Sequence, residues 1–184
     1  MEAIKIMVEE HENVRRMLKV IRKICYRVLT NSEFDIDDFP KIIDFVRTYT
    51  DKLHHGKEED ILFATMEKEL ERLAKSGAIK GMYIEHDNGR LYMANLEKGV
   101  AKFKEGDDEA RLDIIANSIC YADLLDRHIE KENTAMYTFA ERSLSESSKA
   151  YVEEASRKID EQAMSNGLQE KYINLLSELE TKYS

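Results

Sequence analysis

A single proline, Pro40, stands among 184 residues, and glycines number only seven. Sheet proteins need many tight turns, and Gly and Pro are the residues that make them. A chain this poor in both is built from long, rarely interrupted helices. Its apolar residues agree. Met7, His11, Val14, Leu18, Ile21, Cys25 and Val28 recur at spacings of three and four, the period at which side chains share one helix face. Phe39, Ile43, Val46, Thr50, Ile61 and Thr65 form a second stripe. Ile79, Met82, His86, Gly89, Met93, Leu96 and Val100 form a third, and Ile114, Ser118, Tyr121, Leu125, His128, Glu132, Ala135 and Phe139 a fourth. Turn-forming or charged breaks at Thr30 to Glu33, Ser76-Gly77, Lys104 to Asp108 and Ser143 to Ser148 separate the segments. Stripes of this kind are the inner seams of antiparallel bundles. The predicted fold is all-α: an antiparallel up-down four-helix bundle over residues 1–143 with an additional C-terminal helical arm over residues 144–184. The arm is nicked at Asn166-Gly167 and carries its own stripe of Leu168, Tyr172, Leu175, Leu176, Leu179 and Tyr183. That stripe packs either on the bundle's flank or on a partner chain, as a homodimer contact.

The net charge of −9 repels phosphates and argues against nucleic acid. No stretch approaches the ~18 consecutive apolar residues of a membrane span, and no basic amphipathic segment suggests a membrane surface. Two cysteines, Cys25 and Cys120, are too few for a disulfide framework. Both lie in apolar helical stretches and read as buried core residues, in keeping with a reducing, cytoplasmic setting.

A histidine interrupts each seam at one level: His11, His54, His86 and His128. In HHGKEED and in HIEKEN a glutamate follows four residues later, pairing His54 with Glu58 and His128 with Glu132. Residues so spaced lie one turn apart on the same face, where both reach one cation or the carboxylate bridges to a second. The levels match as antiparallel helices require. His11 and His54 centre on residues 32–33, inside the first break, and His86 and His128 on residue 107, inside the third. His54 and His86 centre on residue 70, short of Ser76-Gly77. The second helix therefore ends early, or residues 71–78 form a skewed turn. At about 100° per residue the second stripe centres near His54, which turns His55 and Glu59 more than a quarter turn away. His55 is then exposed, or stands beside the ligands without being one.

Four imidazoles and two carboxylates are a mixed set of intermediate softness, suited to Fe, Mn, Zn or Cu(II) rather than Ca or Mg. A structural zinc site needs only about four ligands and usually draws on thiolates, so six donors over four helices suit two metals better. Two octahedral ions offer about twelve positions. These side chains with a bridging oxo or hydroxo group leave roughly two free, for O2, NO, peroxide or water.

EEHENV, HHGKEEDILF, EHDNGR and HIEKEN, in this order, resemble the signatures of the hemerythrin-like (HHE cation-binding) family over about residues 5–140. The resemblance implies two iron ions in an oxo- or hydroxo-bridged centre. His11 and His54 would serve one and His86 and His128 the other, with Glu58 and Glu132 bridging. Oxygen-carrying members have a second histidine one turn from the third-helix ligand; here Arg90 takes that place, with Met82 one turn the other way. The four-His, two-Glu set is more similar to bacterial proteins of nitric-oxide response and iron-centre repair. The expected function is a di-iron protein that binds or reacts with O2, NO or peroxide, in sensing, detoxification or iron-centre repair. The alternative is iron storage or delivery without small-ligand chemistry. Around the site, Gly89 leaves room for a ligand or permits a tight helix crossing. Arg90 pairs with a carboxylate near the metals or is a surface charge. Tyr121 donates a hydrogen bond or packs in the core.

Overall fold

The computed structural model describes residues 1–184, and all its regular structure is helical. Helix α1 is Glu2–Leu29, α2 covers residues 38–69, and α3 is the short Glu71–Ser76. Helix α4 is Ala78–Lys104, α5 covers residues 110–143, and the arm folds as α6, Glu146–Ser165, and α7, Leu168–Lys182. Helices α1, α2, α4 and α5 form the bundle, so the chain is an all-α bundle protein. No helix is long and apolar enough to cross a membrane.

The ends follow local chemistry. Helix α2 begins at Asp38, two residues before Pro40, where a missing N–H would have had no intrahelical partner anyway. Leu70, with φ −109° and ψ 70°, stops α2 at the midpoint of His54 and His86. The early end required by the histidine levels is thus made by Leu70, α3 and Gly77, whose φ of 81° suits a residue without a Cβ. Ser145 caps α6 by accepting a hydrogen bond from the Ser148 amide.

The α1 and α4 stripes are buried throughout. Those of α2 and α5 are not, because both helices contain π-helical turns: Val46–His55 and Glu58–Phe63 in α2, and Glu132–Met136 in α5. A π-turn closes i→i+5 bonds and so turns fewer degrees per residue. Beyond Glu132 the buried face therefore passes to Met136, Tyr137 and Ala140, while Ala135 and Phe139, expected inside, are exposed. In α2 the seam likewise passes from Thr65, only half-buried, to Met66.

The arm's Tyr172, Leu176, Leu179 and Tyr183 are buried in the chain's own main core. Polar ties fasten it as well: Tyr183 Oη donates to Asp38 at 2.6 Å, and Arg16 holds Glu180 at 2.7 Å. Of the two cysteines Cys25 is buried, but Cys120 is exposed. It lies off the Ser118–Tyr121–Leu125 seam, and its apolar neighbours Ile115 and Ile119 are themselves only partly covered.

Candidate metal centre

Two apolar cores, one built around Met17, Ile21 and Leu96 and the other around Met7, Phe63 and Met66, are separated by a polar layer. Into that layer α1 projects His11, α2 His54 and Glu58, α4 His86, and α5 His128 and Glu132; none is more than 1% exposed. The imidazoles meet in pairs. Nε2 of His11 lies 2.8 Å from Nε2 of His54, and Nε2 of His86 lies 2.9 Å from Nε2 of His128. Glu132 reaches both pairs with separate oxygens, Oε2 at 3.2 Å from His11 and Oε1 at 3.0 Å from His128. Glu58 places Oε2 between them, 3.7 Å from Nε2 of His54 and 3.5 Å from Nε2 of His86. Its other oxygen accepts the Tyr137 hydroxyl at 2.5 Å.

The outward nitrogens are equally ordered. Nδ1 of His54 faces Glu10 at 2.7 Å, Nδ1 of His86 faces Glu59 at 2.6 Å, and Nδ1 of His128 faces Glu85 at 2.9 Å. Nδ1 of His11 faces Oδ1 of Asn133 at 2.8 Å. Each acceptor is the chain neighbour of a residue in the cluster, and each holds an imidazole on the next helix, so the four form a closed ring. An ionised carboxylate can only accept, so a neutral ring facing one carries its proton on Nδ1 and turns the Nε2 lone pair inward.

Two inward lone pairs less than 3 Å apart call for a proton or a cation between them. At His54 burial, with His11 beside it, drives the imidazole well below its ordinary range, against a proton. At His86 and His128 burial also pushes down, but the surrounding carboxylates, Glu132 with Glu59 at His86 and Glu132 with Glu58 at His128, together raise both. The carboxylates make the same demand. Glu58 Oε2 and both oxygens of Glu132 are buried with no hydrogen-bond partner, a costly arrangement for charged groups unless an ion is supplied. Burial and the adjoining Glu132 push Glu58 well above the usual carboxylate range. Burial acts in the same sense on Glu132, but His128, His11 and His86 prevail and hold it low. Donor atoms of His11, His54, Glu58 and Glu132 lie within 4.8 Å of one another, and so do those of His55, Glu58, His86 and His128. Either group can hold a metal ion, and Glu58 belongs to both.

His55 is neither exposed nor turned away: it is 5% exposed, and its ring stacks on His86 with centroids 3.8 Å apart. The π-turn of Val46–His55 narrows the angle between consecutive side chains, so both histidines of the doublet point inward. For the same reason Glu59, its side chain still 24% exposed, reaches His86. Arg90 pairs with carboxylates next to the site: Nε with Asp51 at 2.8 Å, Nη2 with Glu59 at 2.7 Å and Nη1 with Asp87 at 2.9 Å. Gly89 makes no tight crossing, because a Cβ there would meet Tyr121 Cε2 at 3.5 Å, an ordinary contact. The Tyr121 ring is packed in the core, with its hydroxyl buried and unpartnered. His55, His86, Gly89, Arg90 and Tyr121 line a cavity of about 230 Å³ against the His86–His128 side.

Several residues of the site carry no helical signal. Lys57 is wholly buried, with Nζ 2.6 Å from Glu10 Oε1 and 2.6 Å from Asp160 Oδ1 on α6. The acceptors Glu10, Glu59, Glu85 and Asn133 could have been sought as polar chain neighbours of the histidines and glutamates. Tyr137 could have been found only by knowing that α5 contains a π-turn.

This fold and site define a helical cation-binding domain. The model of the hemerythrin HHE cation-binding domain matches residues 2–140, and the chain belongs to that family. Comparison with curated proteins and with solved structures returned no match.

Proposed function

We propose that the chain is a non-haem di-iron protein that binds or reacts with O2, NO or peroxide, in sensing, detoxification or iron-centre repair. His11 and His54 hold one ion, His86 and His128 the other, and Glu58 and Glu132 stand between them. The observation that carries this reading is the pairing of four inward Nε2 atoms around three carboxylate oxygens without hydrogen-bond partners. The donors fit iron by their intermediate softness and by the hemerythrin-type motifs that supply them. Bound there, a pair of irons supplies coordination and one-electron chemistry for a small ligand. The protein's part is to fix the imidazoles through the ring of acceptors, to exclude bulk water, and to leave an approach. That approach is the cavity at Gly89, on the His86–His128 side.

Storage or delivery would favour ligands open to exchange, whereas every ligand here is enclosed by apolar cores above and below. The test is elemental analysis and absorption spectroscopy on protein produced with iron. Two irons per chain, ferric charge-transfer absorption that shifts with NO or azide, and resistance to chelators are expected. Protein without iron or such absorption sinks the reading, and freely chelated iron with no response to NO or azide favours storage or delivery.

A further inference from the structure

Resting on the di-iron reading, we infer that His55 is a fifth imidazole ligand, bound to the same ion as His86 and His128. Three observations converge on it. A ring nitrogen of His55 lies within 4.8 Å of donor atoms of Glu58, His86 and His128, so the His86–His128 ion has a third imidazole in reach. The His11–His54 ion has none. Second, His55 is oriented in the same way as the four inner histidines: its Nδ1 faces Oδ1 of Asp51 at 3.3 Å, leaving Nε2 without a protein partner. Metal-bound imidazoles nearly always donate their other N–H to such an acceptor. Third, Arg90 clamps the acceptors of His55 and His86 together, reaching Asp51 at 2.8 Å and Glu59 at 2.7 Å. The two stacked rings, inclined at 8°, are thus held as a unit.

A purely structural histidine would not need this. His55 is buried among polar groups, next to three other imidazoles, at the wall of the cavity beside His86. The assignment makes the two ions unequal, with three imidazoles on the cavity side and two on the other. It also sets an imidazole in the wall of the cavity proposed as the approach for a small ligand.

The test compares iron-loaded full-length protein with His55→Ala and His55→Phe, counting imidazoles per two irons by X-ray absorption and following the iron sites by Mössbauer spectroscopy. Five imidazoles and two distinct iron environments are expected for the unmodified protein. His55→Ala should show four, should lose the cavity-side iron to a chelator more readily than the unmodified protein, and should regain its spectrum with added imidazole. His55→Phe keeps a ring against His86 and should show the same loss without rescue, which separates lost coordination from lost folding. An unmodified protein with two irons and four imidazoles overturns the His55 assignment alone, as does an unchanged count in both variants. Protein that takes up no iron at all overturns the di-iron reading, and this assignment with it.

Discussion

Nδ1 of His54 donates to Oε2 of Glu10 across 2.7 Å, and the opposite oxygen of that carboxylate accepts from Lys57 at 2.6 Å. Glu10 therefore fixes the ring orientation of His54 and keeps its Nε2 lone pair facing the centre. Removing such an acceptor typically costs 10–100-fold in metal affinity. Glu10→Ala should lose about that much at the His11–His54 ion while the other is retained, so titration with a competing chelator should turn from one phase to two. An unaltered titration would deny Glu10 this role.

Lys57 is the only cation facing the buried carboxylates of Glu10 and Asp160, and it connects the bundle to the C-terminal arm. Replacing one member of a buried charge set leaves the others uncompensated, at a cost of about 3–5 kcal/mol. For a chain of this size that is roughly 6–20 °C in the unfolding midpoint. Lys57→Met should show this loss in metal-free protein, by thermal or urea unfolding. The triple change Lys57→Met, Glu10→Gln, Asp160→Asn should recover much of it, because no charge is then stranded. A triple variant no more stable than the single one would mean that Lys57 acts by packing instead.

What the sequence made legible is what depends on helical period and on level. The seams of α1 and α4 and the shared height of His11, His54, His86 and His128 follow from counting residues. Counting also required an irregularity before Ser76-Gly77, but left open whether α2 ended early or residues 71–78 made a skewed turn. The inward turn of His55, against expected exposure, and the outward turn of Ala135 and Phe139 share one cause. A constant 100° per residue fails once a π-turn intervenes, and the pattern of residue types around Thr50 or Asn133 does not announce one. Lys57 and Asp160 escaped for a different reason. Charged residues ordinarily lie on solvated faces, and only the assembled bundle shows which are enclosed with a partner.

Gly89 leaves the cavity open beside His86. A methyl group there meets Tyr121 at an ordinary distance, and alanine is about 1 kcal/mol the better helix former. Gly89→Ala should therefore fold at least as stably as the unmodified protein and retain its iron. Gly89→Leu projects a larger side chain into the cavity and should weaken azide or NO binding at least about 10-fold at unchanged iron content. Equal ligand affinity in both variants would move the approach route elsewhere.

The two thiols should differ sharply in reactivity. Only the thiolate attacks disulfide reagents, and burial pushes the Cys25 thiol up to about 11. At pH 8 Cys25 is neutral as well as enclosed, whereas Cys120 is exposed on α5. Raising the pH within the range where the fold survives should not expose Cys25, because access as well as ionisation is limiting. A disulfide reagent at pH 8 should therefore label one thiol per chain quickly, and the second only in denaturant, at a rate that follows unfolding. Because Cys25 packs against α5 next to Ser118 in the main core, its labelling rate reports opening of the bundle. If iron fastens α1, α2, α4 and α5 to one another, loading should slow that second phase and leave the first unchanged. Labelling of both thiols at one rate in native protein would show that the α1–α5 seam opens readily without unfolding.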